Sequence, residues 1–279
     1  MTEKRPQGLD PATPDAFRQA AHQVLDACLD QLFAAADHPW QPVPADVVAR
    51  YQITGAPIGE QALAARLVQD VLPYGTGNTH PRFFGWVHGT GLAVGLMSEL
   101  VAATMNANVG GRDHGAVYTE RAVIDWARGV FGFPQGASGV LVSGTSQATV
   151  IALAAARVRA LGADVRKTGQ GGQRLVAYAG AGVHNATKKA IELLGIGADN
   201  LRAIPETDQG MDLAALAAAV AADRAAGAVP FAVVGTAGSV DLGRFDDLNR
   251  LADLAAKDGL WLHVDGAFGA WARLAGAPW

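Results

Sequence analysis

The sequence predicts an α/β protein, with a mostly parallel central sheet covered by helices on both faces and a helical N-terminal arm ahead of it. Three observations carry that reading. After Pro134, short apolar runs at 140–142, 175–178, 201–204, 231–234 and 260–264 alternate with longer segments of helical periodicity. Such alternation implies crossover connections and therefore parallel strands buried on both faces. Half of the 279 residues are hydrophobic and only 17% are charged, which supplies a sizeable core. Many of the 34 glycines fall between the apolar runs, where turns and close approaches use them.

Taken in order, Thr13-Pro14-Asp15 starts a helix, and Phe17, Ala21, Val24, Cys28 and Leu32 repeat at helical spacing until His38-Pro39 ends the pattern. The proline-containing segment 39–57 has little periodicity and is expected to be an extended arm, followed by a second helix on Leu63, Leu67 and Val71. These elements do not make a core of their own and are expected to pack on the next domain or on a second subunit. From Tyr74 the chain turns dense in glycine, histidine and aromatic residues (YGTGNTHPRFFGWVHGTG), as a site or an elaborate connection would be. Helices are expected at 92–108 and 119–131, separated by the polar stretch NVGGRDHG. The helices that alternate with the strands are expected at 146–161, 184–194, 212–226 and 245–257.

The net charge of −4, with no long basic run, gives no indication of a nucleic-acid partner. No apolar run is long enough to cross a bilayer, and MTEKRPQGLDPATP lacks the apolar core of a signal peptide, so a cytoplasmic location is expected. The single cysteine, Cys28, makes no internal disulfide and falls on the apolar face of the first helix.

Four stretches carry chemistry. GVLVSGTSQAT (139–149) is a strand, a glycine and two hydroxyls at a helix start, where backbone N–H groups cradle an anion; an ordinary N-cap would look similar. AGAGVHNATKKA (179–190) places His184 at a strand-to-helix turn, with Gly180 and Gly182 leaving room in front of it for a flat ligand. VVGTAGSVD (233–241) ends a strand with the hydroxyl of Thr236. GLWLHVDGAFG (259–269) ends a strand with Asp265 followed by small residues. Gly144-Thr145-Ser146-Gln147-Ala148, with His88-Gly89-Thr90-Gly91 upstream, also approaches a serine-hydrolase elbow with an oxyanion loop, but the final histidine, His263, sits inside a strand before the carboxylate Asp265, against the order a triad needs. His263-x-Asp265 is half of an iron triad whose later histidine is missing, so no metal site is expected. A dinucleotide fold is poorly supported, because GTGLAVG (89–95) follows no clear strand. Together, a phosphate cradle, a stackable imidazole, a hydroxyl and a carboxylate at successive strand ends suit a planar phosphorylated cation such as pyridoxal phosphate.

From about His80 onward the chain resembles the group II pyridoxal-phosphate-dependent decarboxylases, which include aromatic-amino-acid, glutamate and histidine decarboxylases. The resemblance rests on HPRFFGW (80–86), MNAN (105–108), VSGTSQAT (142–149), Val183-His184, PFAVVGTAGS (230–239) and WLHVDGAFG (261–269), in matching order and approximate spacing. It implies the large domain of the fold-type I pyridoxal-phosphate enzymes at 79–279, an arm for dimerisation at 1–78, and a homodimer with its site at the subunit interface. By the same similarity, Gly144, Thr145 and Ser146 hold the phosphate, and His184 stacks on one face of the ring with Ala267 on the other. Thr236 bonds near the ring oxygen or the substrate carboxylate, Asp265 binds the pyridinium nitrogen, and Trp86 and Val87 face the substrate side chain. The implied reaction is decarboxylation of an L-amino acid.

The chain departs from that family in one important respect. The Schiff-base lysine of these enzymes lies a few tens of residues beyond the HVD motif, whereas Lys4, Lys167, Lys188, Lys189 and Lys257 all precede it. The chain is therefore expected to be truncated and, by itself, inactive or nearly so. Gly266, where many relatives carry alanine, is a smaller departure. Rival readings are an aminotransferase or carbon–carbon lyase of the same fold, a non-catalytic dimerisation module, and a hydrolase using Ser146.

Overall fold

The computed structural model describes residues 11, 13–53, 55, 58–108, 110 and 112–276, and the chain divides into two compact units, Met1–Asn108 and Val109–Trp279. The leader reading of the N-terminus, and the parts of the 39–57 arm and of NVGGRDHG at positions 54, 56, 57, 109 and 111, lie outside the described residues.

In the first unit α1 (Pro14–Phe33) begins with proline in its first turn and Asp15 beside the helix N-terminus, as the sequence predicts. The segment expected to be an extended arm contains α2 (Ala45–Ala49). Asp46 and Arg50 support it as an i, i+4 pair at 2.9 Å, and Arg50 also bonds both carboxylate oxygens of the buried Asp70. The second helix starts as α3 (Glu60–Arg66) and continues through a π turn at Leu67–Val71 and a 3-10 turn at Leu72–Tyr74. Cys28 is half-buried, free, and on α1. α4 (Ala93–Met105) ends where Asn106 adopts a left-handed conformation (φ 42°), three residues short of the 108 implied by periodicity.

The second unit runs α5 (Gly115–Phe131), α6 (Thr145–Leu161), α7 (Val165–Thr168), β1 (Leu175–Gly180), α8 (Asn185–Leu193), β2 (Leu201–Ile204), β3 (Glu206–Thr207), β4 (Gly210–Met211), α9 (Leu213–Ala225), β5 (Val229–Thr236), α10 (Leu248–Asp258) and β6 (Trp261–Asp265). The sheet order is β2-β1-β5-β6, with every pair parallel. Alternate residues feed two apolar layers. Leu175, Ala177, Ala179, Phe231, Ala232 and Val234 pack with Leu153 and Ala156 of α6 and Ala190 and Ile191 of α8. Val176, Tyr178 and Val233 pack with Leu216 and Val220 of α9 and Leu251 and Ala255 of α10. Each fully buried leucine or isoleucine contributes about 1.5–3 kcal/mol by leaving water.

Four of the five expected strands form, and 140–142 does not. Val140 and Leu141 are exposed, and the Leu141 N–H donates to Glu120 Oε1 at 2.8 Å. An extended run becomes a strand only beside a hydrogen-bonding neighbour, and no described residue pairs with it. α5 starts four residues earlier than its periodicity suggests. α10 starts three residues later than expected, because Phe245 is bridged to Ala237 and Asp247 caps the helix through the Arg250 N–H. The β3–β4 hairpin is an addition to the expected elements. Its turn requires Gly210, whose φ is +85° and whose Cβ would lie 2.6 Å from Asp246 Oδ1.

A polar cluster ties α9 to the sheet. Arg202 reaches both oxygens of Asp223 (3.0 and 2.7 Å), and the buried Tyr178 hydroxyl donates to Asp223 Oδ2 at 3.1 Å. Hydrogen bonding to Arg202 holds Asp223 below the usual carboxylate range, and burial of Tyr178 pushes its hydroxyl well above the ordinary phenol value. Asp223→Ala is expected to lower stability at pH 7 by about 2 kcal/mol, since it strands the buried Tyr178 hydroxyl and leaves the partly buried Arg202 guanidinium without its carboxylate. Because the folded-state pKa is depressed, this contribution is present above the unfolded value of about 3.9 and disappears as pH falls through the folded value. Urea unfolding of both proteins between pH 3 and 7 should show the gap closing on the acid side.

Candidate functional site

The site is built on the register of β5 and β6. Ala232, Val234 and Thr236 stand opposite Trp261, His263 and Asp265, and the Ala237 N–H donates to the Asp265 carbonyl at 2.8 Å. Thr236 and Asp265 therefore end adjacent strands side by side, on the face that Ala232, Val234 and Trp261 share with α6 and α8. Beyond them the two loops interlock. A Cβ on Gly238 (φ +87°) would lie 2.9 Å from the Gly269 Cα, and one on Gly269 would lie 2.5 Å from the Ala237 carbonyl oxygen.

Asp265 is buried, and its Oδ1 accepts the Ala267 N–H at 3.2 Å. Oδ2 accepts no hydrogen bond from the described residues, so one oxygen is held while the other is available to a ligand. Ala267 is exposed beside it. Gly266 has a local reason to lack a side chain, since a Cβ there would stand 2.5 Å from that of Ala270. Thr236 is held through its backbone. Its N–H donates to Asp246 Oδ2 at 2.8 Å, and its carbonyl accepts the Asp246 N–H at 2.9 Å.

His184 follows β1 at the same end of the sheet, exposed, and caps α8. Its Nδ1 accepts the Ala186 N–H at 3.2 Å, which places the proton of the neutral ring on Nε2. The room expected in front of it at Gly180 and Gly182 is partly filled, because Glu206 Oε1 accepts the Gly182 N–H at 2.6 Å.

Gly144 is the N-cap of α6, and Thr145 and Ser146 open the helix, both exposed. Two contacts fix the direction of α6. Arg157 donates to the carbonyl of Leu194, just past the C-terminus of α8, and Arg159 lies 6.0 Å from the ring of Trp261 at the start of β6. The C-terminal half of α6 is therefore level with the N-terminal edge of the sheet, and its N-terminus lies at the C-terminal edge with His184, Thr236 and Asp265. The Thr145 and Ser146 N–H groups have no partner among the described residues, while Ser143 is occupied by Gln147 Oε1. Trp86 and Val87 belong to the first unit. Both are exposed, with Phe83 edge-on to Trp86 at 5.5 Å.

The structure argues against the Ser146 hydrolase. A nucleophile elbow strains its serine, whereas Ser146 is an ordinary second residue of a helix and bonds no histidine or carboxylate among the described residues. The sequence reading missed two carboxylates, Glu206 and Asp246. Asp246 left a signal: Asp246 and Asp247 are adjacent at a helix start where one cap suffices, and Asp247 supplies it. Glu206 left none, since it reaches Gly182 across the sheet edge.

A parallel α/β sheet that gathers an anion-ready helix start, an exposed imidazole, a hydroxyl and a half-engaged carboxylate at one edge has the architecture of the large domain of pyridoxal-phosphate enzymes. The chain belongs to the pyridoxal-dependent decarboxylase family, whose conserved domain matches residues 56–276. It is 30% identical to aromatic-L-amino-acid decarboxylase of Bacillus atrophaeus over 92% of this chain and 53% of that protein. It is also 30% identical to L-2,4-diaminobutyrate decarboxylase of Rhizobium meliloti over 94% and 53%. Among solved structures, mouse CSAD superposes with a TM-score of 0.83 at 24% identity (94% of this chain, 57% of that one). Oryza sativa TDC with PLP and tryptamine superposes at 0.81 and 27% identity (96% and 60%). The chain spans about half the length of the curated relatives it matches.

His263 lies between the core and the site, and its buried Nε2 has no partner among the described residues. Burial lowers its pKa below the ordinary imidazole value, with Asp265 pulling the other way. The folded state therefore binds fewer protons than the unfolded state between the two values, so stability is full above about pH 6.5 and is lost as pH falls toward the folded pKa. His263→Gln should flatten the stability profile just below about pH 6.5, measured as urea midpoints. A fluorophosphonate probe should leave Ser146 unlabelled.

Proposed function

We propose that this chain is the cofactor-binding part of a pyridoxal-phosphate-dependent decarboxylase that converts an L-amino acid to its amine. The observation that supports this most directly is the buried Asp265, one oxygen fixed by Ala267 and the other unpaired among the described residues, at the sheet edge where the Thr145 and Ser146 N–H groups likewise meet no described partner. The donor set suits the cofactor: N–H groups and hydroxyls for a dianionic phosphate, a carboxylate for a ring cation, and a flat imidazole for a flat ring.

Gly144, Thr145 and Ser146 would hold the phosphate, using the positive end of α6. His184 would lie on one face of the ring with Ala267 on the other, and its Nδ1 bond to Ala186 limits rotation of the imidazole. The Thr236 hydroxyl would orient the ring oxygen or the substrate carboxylate. Asp265 would hold a proton at the pyridine nitrogen. The bound cofactor supplies an electron sink for the pair left behind when CO2 departs. Orientation of the scissile bond would fall to these side chains.

The same reading makes the parent enzyme a cytoplasmic homodimer, with residues 1–78 as the dimerisation arm and 79–279 as the cofactor domain. The compact units divide at a different point, 108/109. The exposed Phe17 and Phe33 of α1 support a docking role for the arm.

Spectroscopic titration with pyridoxal phosphate tests the reading. Saturable binding is expected, and Asp265→Ala should weaken it about 10- to 100-fold, the equivalent of one lost charge-assisted hydrogen bond. Equal affinity for the variant would sink the assignment of Asp265. Where turnover of a carboxyl-labelled L-amino acid is detected, label should leave as CO2; a keto acid product would indicate an aminotransferase instead.

A further inference from the structure

One carboxylate outside the expected site acts on it from a distance. Glu206 projects from β3, and its Oε1 accepts the Gly182 N–H at 2.6 Å, two residues before His184. A Cβ on Gly180 would come within 2.7 Å of that same oxygen, and one on Gly182 within 3.0 Å. The two glycines therefore admit a carboxylate of this chain, as well as any ligand, to the turn that presents the imidazole.

The placement of Glu206 is built into the hairpin. The strand before it is tied to the same turn, because the Ala181 N–H donates to the Ile204 carbonyl at 2.9 Å. The hairpin closes on itself through the Thr207 hydroxyl, which donates to the Gly210 carbonyl and accepts the Gln209 N–H. Its far strand is fixed by the Met211 N–H, which donates to Asp246 Oδ1 at 2.7 Å, while Oδ2 of the same aspartate accepts the Thr236 N–H. One two-stranded hairpin thus connects the turn that carries His184 with the strand end that carries Thr236.

We infer that Glu206 is a positioning residue. By accepting the Gly182 N–H and filling the space over Gly180, it holds the 180–184 turn and, through it, the imidazole of His184. This rests on the proposed cofactor site only for the consequence on ligand binding; the effect on the turn is a property of the chain alone.

The test uses Glu206→Ala, Glu206→Gln, Gly180→Ala and the double variant G180A/E206A. Two readouts are needed: amide hydrogen exchange over 181–186 without cofactor, and the affinity and induced circular dichroism of pyridoxal phosphate. E206A should speed exchange in that segment about tenfold with an unchanged urea midpoint, a local opening rather than a global one. It should also weaken cofactor binding several-fold and reduce the induced signal. The glutamine variant should stay near wild type, because its amide oxygen can accept the same N–H. G180A should reproduce the faster exchange in the wild-type background and add nothing to the exchange rate of E206A, since its methyl collides with the carboxylate that E206A removes. Unchanged exchange in E206A, or a glutamine variant as defective as alanine, overturns the inference. Failure of the wild type to bind pyridoxal phosphate would refute the cofactor reading, while the exchange data would still decide the role of Glu206.

Discussion

The structure depends on the register between β5 and β6. Parallel strands all deliver their C-terminal ends to one edge, but only a fixed register decides which side chains meet there and on which face. The pairing of Thr236 with Asp265, fixed by the Ala237 N–H on the Asp265 carbonyl, puts a hydroxyl and a carboxylate side by side on the face covered by α6 and α8. A slip of β6 by one residue would send Asp265 into the layer of Leu216 and Leu251 and leave Thr236 on the other face. The apolar pattern of both strands resists such a slip: Val234 and Trp261 belong to one layer, Val233 and Leu262 to the other.

The acidic side chains of the second unit do different work according to what surrounds them. Asp223 is fully engaged by Arg202 and Tyr178 and serves as a brace between α9 and the sheet. Asp246 uses both oxygens on backbone N–H groups and serves as a clamp. Asp265 is buried like a structural group but has one oxygen unspent. The free oxygen of Asp265 is not sealed inside the fold, so a ligand can reach it, and this distinguishes it physically from the other two.

Strands of four or more apolar residues were legible in the sequence because the burial that makes them strands also writes them as runs: β1, β2, β5 and β6 all coincide with such runs. The run at 140–142 has the same composition and stays unpaired, because pairing depends on a neighbour that no local pattern encodes. The β3–β4 hairpin has two residues per strand, too few for any period, and α2 is short and follows directly on Pro44. Gly144, Thr145, Ser146, His184, Thr236 and Asp265 were picked out from their positions at element boundaries and Ala267 from the family resemblance, and the fold brings them to one edge. Asp246 was passed over although the adjacent pair Asp246-Asp247 marked it, and Glu206 was not found because its partner Gly182 lies 24 residues away in sequence.

The small residues after Asp265 complete the argument about that carboxylate. The Ala267 N–H can reach Oδ1 only if the chain turns immediately after the strand, and Gly266 permits the turn to pack on Ala270 without a clash. Gly269 then lets the turn lie against Ala237, next to Thr236, so the loop that restrains the carboxylate is itself restrained by the neighbouring strand. A larger side chain at 266 or 269 would push the turn outward, taking with it the hydrogen bond that orients Asp265 and the Ala267 surface beside it. Charge, wall and hydroxyl are therefore one mechanical unit, and a ligand that pairs with Oδ2 meets a carboxylate whose direction is already set.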